Sequence, residues 1–185
     1  MRKVILSLAI SFDGKIEGPY GEIDWLPFNE EAGTIISTFL KEIDTVLYGR
    51  VSYEAWGAYT PAADSSDFEK DIYNTLSKMT KYVFSTTTTS FAGNPIVVSS
   101  NIKQAVENLK KQPGKNIWLY GGAKLVTTFM NLDLVDEYRI AIAPIVLGAG
   151  KPLFKDIDHR VPLKLAEVKS YPSGMLEVVY QRVTP

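Results

Sequence analysis

The stretch Ile117-Trp118-Leu119-Tyr120-Gly121-Gly122-Ala123-Lys124-Leu125-Val126 decides the fold. Its first four residues read as a buried strand and the glycine pair permits a tight turn. Apolar positions then recur at helical spacing as far as Met130. A strand that passes through glycines straight into a helix is the repeating piece of a parallel sheet covered by helices. Upstream, Asn101 is placed to cap a helix with Ile102, Ala105, Val106 and Leu109 on its inner face. Before it come two short strands, Ile96-Val97-Val98 and Tyr82-Val83-Phe84. Ser66 and Glu69 have the spacing of a capping box and open a helix that runs to about Met79. Ser52 to Trp56 reads as a short helix, and Thr45 to Tyr48 as a buried strand stopped at Gly49. Ile35, Ile36, Phe39, Leu40 and Ile43 lie at helical spacing, after a Gly/Pro-rich loop from Gly18 to Pro27. Lys3 to Ser11 is the first strand, ending at the turn Asp13-Gly14.

Downstream the rhythm changes. Asp136 to Ala143 reads as a strand and Pro144 to Pro152 as a Gly/Pro loop. Leu163 to Tyr171 then faces Leu176 to Val183 across Pro172-Ser173-Gly174 as a hairpin. The expectation is one α/β domain over residues 1–185, a mostly parallel sheet wound on both faces with an antiparallel C-terminal edge.

Composition narrows the function. The 185 residues carry 20 basic and 21 acidic side chains, a net charge of −1 without long like-charge runs, so no nucleic-acid partner is expected. There is no Cys and a single His, which excludes disulfides, a thiol–His pair and a His-rich metal site. The apolar N-terminal run is broken by Ser7, Ser11 and Asp13, so neither a membrane span nor a signal peptide is expected, and a cytoplasmic location follows.

Ligands of such sheets bind beyond the carboxyl ends of the strands. Tyr120-Gly121-Gly122-Ala123-Lys124 combines close backbone approach, the free N–H groups of a helix start and a cation; the same glycines also suit a plain turn. Gly49-Arg50-Val51-Ser52 puts a guanidinium where the helix dipole disfavours it, which points to an anion unless solvent alone holds it. Ser85 and Thr86 end a third strand, as phosphate or ribose partners or as a polar loop. Together the three ends suit a phosphate-rich, dinucleotide-sized ligand. Asp13, Asp24, Glu30 and Glu31 gather around the first loop and helix, where a turn and a helix start also explain them. Trp25 reads by itself as core, and His159 as a solvated surface residue.

Several motifs, taken in order, are familiar. They are Ser11-Phe12-Asp13-Gly14-Lys15-Ile16, Asp24-Trp25-Leu26, Val46 through Glu54, Tyr82 through Ser85, Gly121 through Leu125, Leu134 through Tyr138, Ala143 through Gly148 and Pro152-Leu153-Phe154. On these the chain resembles the dihydrofolate reductase superfamily, and within it the proteins related to the reductase domain of the bifunctional riboflavin-biosynthesis deaminase/reductase. The resemblance implies a three-layer α/β/α fold with a central sheet of about eight strands and NADPH across their carboxyl ends. It implies that Ala9 and Ile16 flank the nicotinamide, that Arg50 and Ser52 hold the adenosine 2′-phosphate, and that Gly49 belongs to the same cofactor site. Ser85 would lie near the adenosine, and Gly121, Gly122, Ala123, Lys124 and Leu125 would cradle the pyrophosphate. Trp25 and Tyr120 would face the substrate, with Glu30 or a water as proton donor. Tyr120 stands where the pyrimidine reductases carry an acid. A single domain of this length has no room for the accompanying deaminase. The resemblance thus implies an NADPH-dependent reductase acting on a pyrimidine- or pterin-like small molecule, as a homodimer. The alternative is a nucleotide-binding protein of the same fold without turnover.

Overall fold

The computed structural model describes residues 1–27 and 29–183. The strands are β1 (Val4–Ser11), β2 (Lys15–Glu17), β3 (Ile43–Gly49), β4 (Thr80–Phe84), β5 (Ile96–Val98), β6 (Asn116–Gly121), β7 (Glu137–Ala143), β8 (Lys151–Pro152), β9 (Leu163–Ser170) and β10 (Leu176–Arg182). The helices are α1 (Glu30–Leu40), α2 (Arg50–Ser52), α3 (Asp67–Ser77), α4 (Ile102–Lys111) and α5 (Ala123–Asn131). The eight-stranded sheet has the order β5-β4-β3-β6-β1-β7-β10-β9, and β2 pairs separately with β8. This is the expected three-layer α/β/α fold, mostly parallel with an antiparallel C-terminal edge. None of the helices among the described residues is long and apolar enough to cross a membrane.

The chain forms two compact units. One holds Met1–Arg2 and the stretch from Asn29 to Gly122, the other Lys3–Pro27 and the stretch from Ala123 to Val183. In the first, β5, β4, β3 and β6 run parallel. The strand sequences are short apolar runs because both faces are covered: Val46, Leu47, Val83, Ile117 and Leu119 are fully buried. Asn29 caps α1 by accepting from the Ala32 N–H at 3.0 Å. Gly33 lets α1 approach α3, since a Cβ there would lie 2.8 Å from the Phe68 ring. Arg2 is 7% exposed and ties the edge of this unit, donating to Thr45 Oγ1 (2.7 Å), the Lys115 carbonyl and the Asp44 carboxylate.

In the second unit β1 pairs parallel with β7, and β10 pairs antiparallel with both β7 and β9. Val4, Ile5 and Leu6 have no exposed surface, and burying each such side chain contributes about 1.5–3 kcal/mol. The predicted hairpin is present, with a register shift that gives β9 one extra residue opposite Val179/Tyr180.

Four local readings need correction. Ser66 accepts from the Glu69 N–H at 3.4 Å, but the Glu69 carboxylate accepts from the Tyr59 hydroxyl (3.1 Å) instead of closing the box. Asn101 precedes α4 in the left-handed region (φ 50°) and its side chain caps nothing. The short helix predicted from Ser52 begins at Arg50 and winds as a π-turn over Tyr53–Gly57. The loop predicted to end at Pro152 closes with β8, which pairs with β2, also unforeseen.

Candidate functional site

In the first unit the adjacency of β4, β3 and β6 lines up three carboxyl ends. Gly49 is in register with Phe84, and Tyr48 with Gly121. The segments that follow, Gly49–Ser52, Ser85 and Gly121–Gly122, therefore emerge side by side. Gly121 has φ +115°, a conformation open to glycine alone, and its peptide bond to Gly122 is cis. A Cβ on Gly122 would lie 3.0 Å from the Ser52 hydroxyl, so the glycine backbone and that hydroxyl share a narrow cradle. Ser85 is 7% exposed; its Oγ accepts from the Thr88 N–H (3.0 Å) and folds the following turn, which leaves the hydroxyl proton to donate. Arg50 is half-exposed and pairs with Glu54 at 2.7 Å, an i,i+4 contact of about 0.3–0.5 kcal/mol that an anion can outbid.

Tyr120 lies in a row of rings in the same unit. It packs 4.7 Å from Tyr48 and 4.9 Å from Trp118, centroid to centroid. Burial, and then the neighbouring Tyr73, pushes its phenol above the ordinary range. Glu30 is the exposed first residue of α1, and its carbonyl accepts from Thr34 Oγ1 at 2.8 Å.

In the second unit Ala9 lies in β1 opposite Ala141, and Ile16 in β2 between the two pairs that join it to β8. Helix α5 starts directly at Ala123, with Lys124 exposed and Leu125 buried. Asp13 is more than a turn residue. Its carboxylate accepts from Ser11 Oγ (2.7 Å) and from the Leu147 and Gly148 N–H groups (3.0 Å each). Those bonds, the Ser11 one foremost, lower its pKa from 3.8 to about 2. They hold the 144–150 loop against the β1–β2 turn, helped by Phe12 N–H donating to the Ile145 carbonyl at 2.7 Å.

That loop forms one wall of an open cavity of about 410 Å³, lined by Gly18, Glu22, Asp24, Trp25, Ile145 and Leu147 among others. Trp25 Nε1 is the one buried side-chain N or O atom among the described residues that lacks a hydrogen-bond partner. Glu22 folds over Gly18, where a Cβ would collide with it, and accepts from the Tyr20 N–H at 2.7 Å. Of the residues expected to face a substrate, Trp25 thus lines this cavity and Tyr120 sits in the ring row. His159 is exposed, as expected, between Asp158 (2.6 Å) and Asp133 (3.3 Å), which raise its pKa.

A family model for the RibD C-terminal domain matches residues 2–176. The chain belongs to the RibD C-terminal domain family. It is 47% identical over 179 residues to the uncharacterized protein YyaP of Bacillus subtilis (strain 168), covering 97% of this chain and 94% of that one. Among solved structures, a Shewanella sp. PV-4 protein named for riboflavin biosynthesis superposes over 100% of both chains with a TM-score of 0.77 and 21% identity. Dihydrofolate reductase from Enterococcus faecalis, complexed with NADP(H), superposes over 98% of this chain and 96% of its own, with a TM-score of 0.65 and 16% identity. These two likenesses show the fold. In this RibD C-terminal-domain chain, sequence reasoning missed Glu22 as a cavity wall and the long-range role of Asp13. No local pattern marks either one; only the Ala143 to Gly148 run, singled out as a motif, pointed at the opposite wall.

Proposed function

We propose that the chain is an NADPH-dependent reductase, one dihydrofolate-reductase-like domain acting on a C=N or C=O bond of a small, flat, pyrimidine- or pterin-like metabolite. The observation that carries this reading is the alignment of three parallel strand ends, with the Gly121–Gly122 backbone set against the Ser52 hydroxyl. The donor set of the first unit suits the cofactor: a guanidinium, two hydroxyls and glycine backbone open to close approach. Arg50 and Ser52, after Gly49, would bind the 2′-phosphate; Ser85 would lie at the adenosine. Gly121, Gly122, Ala123, Lys124 and Leu125 would receive the pyrophosphate, and Ala9 and Ile16 would flank the nicotinamide. When bound, NADPH supplies the hydride, which leaves the chain to bind, orient and protonate. Glu30 or a water would give the proton, with Trp25 and Tyr120 on the substrate side.

Quenching or shift of NADPH fluorescence on titration with the protein is the expected result, and its absence at saturating cofactor ends the reading. The alternative, NADPH binding without turnover, draws on the exposed setting of Glu30 and the tyrosine at position 120. Steady NADPH consumption with any member of a pterin and pyrimidine panel eliminates it. The proposal includes a cytoplasmic location and a homodimer through the β9–β10 hairpin.

A further inference from the structure

Tyr53 follows Ser52 directly and opens the π-turn that ends at Gly57. It is 2% exposed, and its ring lies over Gly57, where a Cβ would fall 2.1 Å from the Tyr53 Cδ2. Edge-on contacts with Tyr48 (5.5 Å) and Phe91 (5.6 Å) fix the ring from two further sides. Its hydroxyl donates to the Ala92 carbonyl at 2.7 Å. Residues 91–94 form the turn that presents this carbonyl: the Asn94 N–H donates to Phe91 at 3.3 Å, and Gly93 takes φ +77°. A Cβ on Gly93 would lie 3.0 Å from the Tyr53 hydroxyl. That turn belongs to the loop that leaves β4 through Ser85. Tyr53 thus ties the segment after β3 to the loop after β4, across 39 residues of chain. At the far end of the π-turn, Lys81 of β4 donates from Nζ to the Gly57 carbonyl at 2.6 Å.

The ring contacts account for the core, and phenylalanine would make them equally well. What the hydroxyl adds is one directional bond to a carbonyl on an exposed residue, which water could satisfy instead. Its consequence is therefore position more than stability. The tied segment begins with Arg50 and Ser52, and π-turns recur at functional sites.

We propose that Tyr53 is a positioning residue whose hydroxyl bond to Ala92 sets Arg50 and Ser52 against the 86–94 loop, and thereby sets the preference for a dinucleotide with a 2′-phosphate over one without. The inference rests on the reductase reading for the cofactor, and goes beyond it in giving a buried residue outside the donor set control over which cofactor binds. Charge-assisted bonds to a phosphate weaken steeply with distance and angle, so a loosened turn weakens them. A dinucleotide that lacks the phosphate makes none of them, and the same loosening leaves its binding nearly as before.

The test titrates NADPH and NADH into the wild-type chain, Tyr53→Phe, Gly93→Ala, their double variant and, as a control, the exposed Tyr20→Phe. NADPH affinity should fall about five- to tenfold in each of the first two variants, NADH affinity less than about twofold, and neither in the control. Both substitutions break one contact from opposite sides, so the double variant should bind NADPH about as well as either single one. Amide hydrogen exchange without cofactor reads the tie itself. In Tyr53→Phe the amides of residues 50–57 and 86–94 should exchange faster together, while those of β6 keep wild-type rates. A purely structural role would lower both affinities alike. Equal losses for the two cofactors, unchanged NADPH affinity in Tyr53→Phe, or wild-type exchange rates in either segment overturns the proposal. A wild-type chain that does not bind NADPH overturns the reductase reading, and the cofactor preference with it; wild-type binding that Tyr53→Phe leaves intact overturns this proposal alone.

Discussion

Asp13 keeps its charge far into acid because a hydroxyl and two backbone N–H groups point at it. Its pKa lies at about 2 in the folded chain against an ordinary 3.8. A depressed folded pKa stabilises fully above the unfolded value, and that stability disappears as pH falls through the folded one. Between pH 3.8 and about 2 the wild-type Tm should therefore fall through loss of this clamp, and Asp13→Asn should show a flatter acid limb. Superimposable limbs in calorimetry would show that the clamp contributes nothing. A second residue-scale prediction concerns Arg50. Its exposed pairing with Glu54 is weak, so Arg50→Ala should leave Tm nearly unchanged. NADPH affinity should fall by about 1–3 kcal/mol and NADH affinity far less, because only NADPH has the 2′-phosphate to lose charge-assisted bonds. Isothermal titration with both cofactors decides, and equal losses would remove the 2′-phosphate role. Gly122→Ala probes the cradle itself. Its new methyl would crowd the Ser52 hydroxyl at 3.0 Å, so NADPH affinity should fall about tenfold or more while the far-UV spectrum is retained.

Among the elements, those whose signals are local were legible in the sequence. The β6–Gly–α5 junction, the Ser66 cap of α3 and the β9–β10 hairpin each follow from a handful of neighbouring residues. What escaped depends on partners far along the chain. Strands β2 and β8 are three and two residues long, too short for a periodic pattern, and exist because residues 15–17 and 151–152 meet. The Asp13 clamp spans 134 and 135 residues, so Asp-Gly read locally can only be a turn. Arg2 was equally hidden, since a basic residue beside the N-terminus carries no local sign of burial. Its guanidinium satisfies the Thr45 hydroxyl, which is 3% exposed, and the Lys115 carbonyl. Arg2→Ala leaves both without that donor and should destabilise by about 1–3 kcal/mol, read from urea unfolding with unchanged m-value. A change under a few tenths would mean that water replaces the guanidinium.

For the whole molecule the open question is what meets the C-terminal edge. All eight residues of β9 are exposed, and their distribution follows from the register with β10. Leu165 lies opposite Tyr180 and Val168 opposite Val178, while Glu167 lies opposite Val179 and Lys169 opposite Glu177. The extra residue in β9 is what keeps Leu165 and Val168 on one face, since a strict alternation would send them to opposite sides. The hairpin thus has one apolar face, where Leu163, Leu165, Val168 and Leu176 are 39–53% exposed, and one charged face. An edge strand of this kind invites self-association unless it is covered. In the proposed homodimer a second copy of the chain would cover such a face with matching apolar residues, in keeping with the two-fold symmetry that most homo-oligomers adopt. The wild-type chain should therefore scatter light as a dimer at micromolar concentration. Leu165→Lys combined with Val168→Lys should give a monomer with unchanged far-UV spectrum, because both side chains already reach solvent and neither supports its own unit's core. A wild-type monomer, or a double variant that still dimerises, would place the partner of this face elsewhere.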